Sequence, residues 1–391
     1  MTLLILAFCI ACLILLITWG KVNPFLAFLV VSIVAALLLR MPINSIAQSV
    51  NKGIGDTLGS LVIVIVLGAM LGKLVAESGA AQRIAHTLRN VFGYKNLPWA
   101  MSLTGFIVGI PLFYNVGFVL LVPIIFSVAY SYKLPLIYVG LPMVASLSVM
   151  HGFLPPHPSP VALLAQFHAN MGMTFFYGIM IAIPAVIIAG PLYAKTLKKI
   201  KTNPTKVFTM HEMTDDKLPG TANSFISSLL PVIMIAITTI ATNTSTNDSH
   251  WKTIATFFAE PNIVMLITII IATYTLGVFM GRSLPDVMNI YAEAVKDVSM
   301  ILLIIGSAGI LKQIFIDSGA GKEIAAALQE WKLPVLVLAW IVTAVLRLCL
   351  GSATIAGMTA AGIVIRSVRK RISIQTSWCF PLVRAVFFVH M

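Results

Sequence analysis

Charge is what this chain has least of. Only 10% of its 391 residues are Asp, Glu, Lys or Arg, where a soluble domain carries about a quarter. So few charges cannot cover a water-facing surface, and a soluble globular protein is excluded. Acids are scarcer than bases, 13 against 26. Cysteine is rare as well, 4 in all. Cys9 and Cys12 form a Cys-x-x-Cys inside an apolar run with no second pair, while Cys349 and Cys379 stand alone. Neither a metal or redox pair nor a disulfide framework is implied. A membrane enzyme using His151 and His157 as metal ligands is the rival class. No acid or cysteine accompanies those histidines at ligand spacing, and no nucleophile motif occurs. The expectation is no enzyme, no metal and no cofactor.

What is there instead is apolar: 59% of residues are hydrophobic. Several runs reach the ~18 residues that cross a bilayer core, so the fold class is an all-α polytopic membrane protein. The first run, LLILAFCIACLILLITW, lacks a basic leader and an Ala-x-Ala cleavage site, and a second span follows at once. It reads as a retained helix rather than a signal peptide. Further apolar segments fall near 23–39, 57–76, 97–132, 134–150, 171–194, 224–242, 260–280, 298–316 and 333–365, with more polar, interfacial stretches at 42–56 and 284–297. The net charge of +13 suits cytoplasmic loops facing anionic lipid better than nucleic acid.

A charged, proline-bearing stretch divides the chain. Lys195, Lys198, Lys199, Lys201 and Lys206 place it in the cytoplasm by the positive-inside bias. The expected organisation is a first transmembrane half (1–194), a basic linker (195–223), a second half (224–365) and an atypical tail (366–391). The halves resemble each other. At an offset of 240, GAMLGKLVAESGAAQRIAHTL (68–88) lies over AGILKQIFIDSGAGKEIAAAL (308–328), with seven of twenty-one positions identical and Glu77 on Asp317. The same offset sets PLFYNVG over GSATIAG. Five apolar segments separate the copies, an odd number, so the copies point opposite ways: an inverted repeat with broken helices and hairpin segments. If 57–88 is a re-entrant hairpin, Arg83, Arg89 and Lys95 fall outside on that topology, against the charge bias.

Both copies carry helix breakers where unpaired backbone is most costly. In GIPLFYNVGFVLLVPII (109–125) Pro111 removes a donor, and Gly109 and Gly117 are expected to let the backbone turn. Such a turn persists only where it is buried in protein or lines a wet cavity. The bared N–H groups of the second half-helix, with Phe113, Tyr114 and Asn115 beside them, suit an anion or a hydroxyl-rich ligand. In the second copy Gly351 replaces the proline, and Ser352 and Thr354 supply hydroxyls. Arg347 is open to pairing with a substrate carboxylate, pairing with Asp317, or snorkelling. Glu77 and Asp317 are either proton carriers or helix caps. In SVMHGFLPPHPSPVALL (148–164) the prolines exclude helix, and His151 and His157 either pass a proton or stand in a rigid external turn.

These motifs, GIPLFYNVGFVLLVPI, HGFLPPHP, ESGAA and GSATIAG, resemble the gluconate permease family of proton-coupled sugar-acid symporters, within the wider ion-transporter superfamily. The resemblance covers residues 1 to 365. It implies a homodimeric importer in the lipid bilayer of the plasma membrane (a bacterial inner membrane), taking gluconate or a related sugar acid together with protons. It also favours the functional reading of the histidines. The alternatives are a carrier of another small hydroxylated carboxylate, or an inactive truncated permease. The second arises because IRSVRKRISIQTSWCFPLVRAVFFVHM (365–391) departs from the family's continuation, with four basic residues within 366–371. That end reads as a shifted frame and an early stop, and the expectation from it is a chain that inserts but does not transport.

Overall fold

A computed structural model of the chain describes residues 2–59, 61–167, 169–200, 213–244, 250–320, 337, 340–341, 343–344, 357–358 and 360–361. All regular structure among them is helical. The chain begins with α1 (Thr2–Ile14), α2 (Pro24–Leu38) and the more polar α3 (Ile43–Gly59). α4 (Val62–Glu77), α5 (Ala80–Phe92), α6 (Leu97–Gly109) and α7 (Tyr114–Ser131) follow. Then come α8 (Leu136–Phe153), α9 (Pro158–Phe167), α10 (Met171–Ile187) and α11 (Tyr193–Leu197). After the linker run α12 (Thr221–Thr244), α13 (His250–Ala259), α14 (Pro261–Ala272) and α15 (Leu284–Asp317). Among the described residues 5 helical stretches are long and apolar enough to cross a membrane, and the protein is an all-α polytopic membrane protein.

Local chemistry sets several of these boundaries. α2 starts at an Asn-Pro step: the Asn23 side-chain oxygen accepts the Phe25 N–H at 2.9 Å, and Pro24 occupies a position whose own N–H would be unpaired. Two expectations are corrected. The interfacial segment at 284–297 is no separate element but the first part of α15, whose 34 residues span ~51 Å at 1.5 Å each. The histidine–proline stretch is mostly helical. α8 runs through His151 to Phe153, and α9 restarts at Pro158, because proline is tolerated in a helix's first turn. Only residues 154–157 lie between helices.

The described chain forms two units, interleaved in sequence. One comprises the described parts of Met1–Ile63, Pro158–Asn170 and Val298–Met391; the other comprises Val64–His157 and Met171–Asp297. In the first, α3 and α15 approach through small residues. A Cβ on Gly53 would lie 2.7 Å from the Ile310 Cα, and one on Gly309 would strike Thr57, so the glycines set the helix separation. In the second, α6 and α8 meet around Gly105, which abuts the Met143 carbonyl, and around the Ser102–Ser146 hydroxyl pair at 2.9 Å.

The two repeat copies share one turn, bond for bond. The Ser78 N–H donates to the Leu74 carbonyl at 2.9 Å and Gly79 to Ala76 at 3.2 Å; Ser318 donates to Ile314 at 2.9 Å and Gly319 to Ile316 at 3.2 Å. Gly79 and Gly319 have φ of 81° and 77°, the left-handed region that favours glycine. In each copy a serine Oγ accepts the Ala80 or Ala320 N–H at 3.4 Å. The hydroxyl, not the preceding acid, is thus the side chain that reaches these alanine N–H groups.

Within the second unit Arg83 is tied to the end of the linker. Its guanidinium donates to the Asp215 carbonyl at 2.7 Å and the Pro219 carbonyl at 2.9 Å, and lies 3.5 Å from the Asp215 carboxylate. Gln82 exchanges two bonds with the Met213 backbone, at 2.9 and 3.1 Å. Gly79 has no room for a Cβ because Leu218 would be 2.6 Å away. The start of α5 is therefore held against the end of the linker and lies on the linker's side of the membrane. Arg83 and the end of the linker therefore share a side, and the expectation that set them on opposite sides is corrected.

Candidate functional site

The break between α6 and α7, residues 110–113, exists because Pro111 has no N–H to continue the ladder. The Ile107 carbonyl takes the Ile110 N–H instead, at 3.3 Å; Leu112 still donates to the Val108 carbonyl at 3.3 Å, and the ladder resumes with Gly117 to Phe113 at 2.8 Å. The Gly109 carbonyl, which an unbroken helix would pair with the N–H of residue 113, is left over. His157 supplies the replacement: its Nε2 donates to the Gly109 oxygen at 2.7 Å. A freed backbone group in a membrane protein needs such a partner. Glycines around the break act by their size. A Cβ on Gly72 of α4 would lie 2.5 Å from the Pro111 oxygen, and one on Gly117 would lie 2.9 Å from Leu147 of α8. Gly109 and Gly117 both sit in helices and neither has a positive φ. Their expected role as backbone swivels is corrected: they let α8 approach.

Around this turn four of the expected residues meet. The His151 and His157 ring centroids are 5.0 Å apart. Phe113 lies 5.9 Å from His157 and 6.4 Å from His151, and Tyr114 lies 6.4 Å from His151. His157 is 1% exposed. A carbonyl can only accept, so the proton of the Gly109 bond belongs to Nε2. The His157 Nδ1 is then a buried lone pair with no hydrogen-bond partner among the described residues. Asn115 and Gly117 occupy the first turn of α7, whose leading N–H groups have no intrahelical acceptor. Substrate candidates and proton candidates are thus brought into one cluster.

The other expected residues lie elsewhere. Glu77 is the exposed last residue of α4, and its carbonyl receives the Arg282 guanidinium. Asp317 ends α15 in the first unit, where its carboxylate accepts Ser49 Oγ at 2.7 Å and Gln313 Nε2 at 2.9 Å. Arg347, Ser352 and Thr354 lie outside the described residues. Of their motif Gly357 is described, packed near Ser159 and Leu163 of α9. Sequence reasoning passed over Lys73, whose Nζ pairs with Asp297 at 2.9 Å and ties α4 to α15. A lone lysine in the apolar run LGKLV was the available signal.

The family model described as GntP family permease matches residues 1–380. A high-affinity gluconate transporter of Escherichia coli (strain K12) is 44% identical over 364 residues, covering 93% of this chain and 83% of the relative. The Gnt-II system L-idonate transporter of the same strain is 42% identical over 93% of this chain and 83% of its own length. A gluconate permease of Bacillus subtilis (strain 168) is 40% identical, over 93% and 84%. Among solved structures, the Alcanivorax borkumensis YdaH transporter matches with a TM-score of 0.65 over 97% of this chain and 86% of that one. At 17% identity this likeness speaks for the fold alone.

Proposed function

The chain belongs to the GntP family of permeases, and on that premise we propose that it imports gluconate or a closely related sugar acid by proton symport. It is a transporter, not an enzyme. The named substrates of its relatives, gluconate and L-idonate, are both hydroxylated carboxylates. The observation that carries the reading is the break at residues 110–113, with its freed carbonyl held by a buried histidine whose other ring nitrogen is unpartnered among the described residues. In this reading the substrate carboxylate takes the leading N–H groups of α7, where the helix dipole favours an anion. Tyr114 and the Asn115 amide serve the hydroxyls, and Phe113 forms an apolar wall. His151 and His157 exchange the coupled proton, with Glu77 and Asp317 as the acid alternatives. Ser352, Thr354 and Arg347 are the corresponding candidates of the second copy.

Uptake of labelled gluconate into vesicles tests this. Accumulation should rise with an inward proton gradient and collapse with an uncoupler. Uptake indifferent to both but dependent on sodium would remove the proton reading and leave the permease. Asn115→Ala should insert normally yet lose uptake, since a buried polar ligand group without its partner costs ~1–3 kcal/mol.

A further inference from the structure

The first unit contains a cavity of about 390 Å³ that the transport reading does not use. It lies among the turn after α2, one face of α3 and the end of α15. Ser45, Gln48, Ser49 and Lys52 line it from α3 at i, i+3, i+4 and i+7, with Arg40 on the turn and the exposed Asp317 at the end of α15. Spacing of this kind puts all four on one helix face. The hydroxyl hydrogens are already committed: Ser45 donates to the Pro42 carbonyl at 2.8 Å and Ser49 to Asp317 at 2.7 Å. Asp317 is further held by Gln313 at 2.9 Å. Arg40 and Lys52 have no ion-pair partner among the described residues. Two cations, one amide and the Ser318 hydroxyl, which among the described residues only accepts the Ala320 N–H, therefore remain as donors, opposite a single acid whose two oxygens are already engaged.

We propose that this cavity binds a phosphate ester anion between Arg40, Lys52 and Gln48. Charge selects the anion, and the volume falls in the range of small-ligand sites, ~300–1,000 Å³, large enough for a phosphate with a glycerol attached. Arg40 follows the apolar run of α2 by two residues, and α3 is a polar helix beside it, which is the setting of lipid headgroups. The ester has two sources, an anionic lipid headgroup or a soluble phosphate ester. Bound, it would bridge the α2–α3 turn to the end of α15 and brace the Ser318–Gly319 turn. This inference is independent of which sugar acid is carried.

The full chain is reconstituted in phosphatidylcholine, in phosphatidylcholine with phosphatidylglycerol, and in phosphatidylcholine with millimolar glycerol 3-phosphate, and its melting temperature is read in each. Phosphatidylglycerol should raise the wild-type melting temperature by several degrees, and R40Q/K52Q should lose most of that rise. Lys21→Gln, a control at another exposed basic residue, should keep it. A rise with glycerol 3-phosphate alone, also lost in R40Q/K52Q, identifies the soluble ester as the ligand. If the double variant does not fold, K52Q alone is read the same way. Equal responses of wild type and the Arg40 and Lys52 variants to both additives would overturn the site.

Discussion

Replacing His157 separates the structural from the transport role of the broken helix. In His157→Ala the Gly109 carbonyl loses its 2.7 Å donor, and a buried acceptor left unpaired costs ~1–3 kcal/mol. The same change removes a ring packed against Phe113 and His151 at a site that is 1% exposed; emptying a buried large side chain costs a further ~2–5 kcal/mol. His157→Gln is different. Its amide nitrogen can reach about where Nε2 stood and donate to the same carbonyl, so stability should stay near wild type. Glutamine does not titrate, however, and the second ring nitrogen is gone. The expected pattern is a large fall in melting temperature for alanine only, with proton-driven accumulation lost in both. Melting is followed in detergent and accumulation in vesicles under an inward proton gradient. A folded His157→Gln protein with wild-type accumulation would refute the proton role, and an alanine variant melting like wild type would refute the carbonyl clamp.

Other expectations follow from single contacts. Gly72→Ala places a Cβ 2.5 Å from the Pro111 oxygen, so α4 or the break must shift at ~1–3 kcal/mol; a lower melting temperature with reduced uptake is expected, and wild-type behaviour in both would show the break to be compliant. Asp317→Asn keeps an acceptor for Ser49 and should preserve stability, whereas Asp317→Ala leaves the buried Ser49 hydroxyl unpaired and should cost ~1–3 kcal/mol, a difference read from the two melting curves.

Much of the architecture was legible because bilayers impose strict rules. Apolar length alone marks the spans, and the Pro111 break was visible because few residues can interrupt a membrane helix without a reason. The repeat was legible in the acid-Ser-Gly-Ala element, since a left-handed turn after a helix demands glycine, as at Gly79 and Gly319. The continuity of α15 was hidden by its polar first part, because composition reports the environment of a segment rather than the end of a helix. The helical state of His151 was hidden too: three prolines argue against helix, yet Pro158 only begins one. Arg83 and the linker were set on opposite sides because span parity fixes a residue's side only when every crossing is counted correctly.

The sequence by itself determined the class: an apolar, acid-poor chain whose breakers, histidines and repeat mark a permease. Those properties are local or additive along the chain, so no coordinates are needed to read them. What only the tertiary structure decided is partnership. That His157, forty-eight positions away, replaces the lost N–H at Gly109, that Lys73 finds Asp297, and that Arg83 holds the linker all depend on which helices pack together. Packing is set by the complementary placement of small residues such as Gly72 and Gly105 against distant backbone, and no pattern within one segment encodes the partner it will meet.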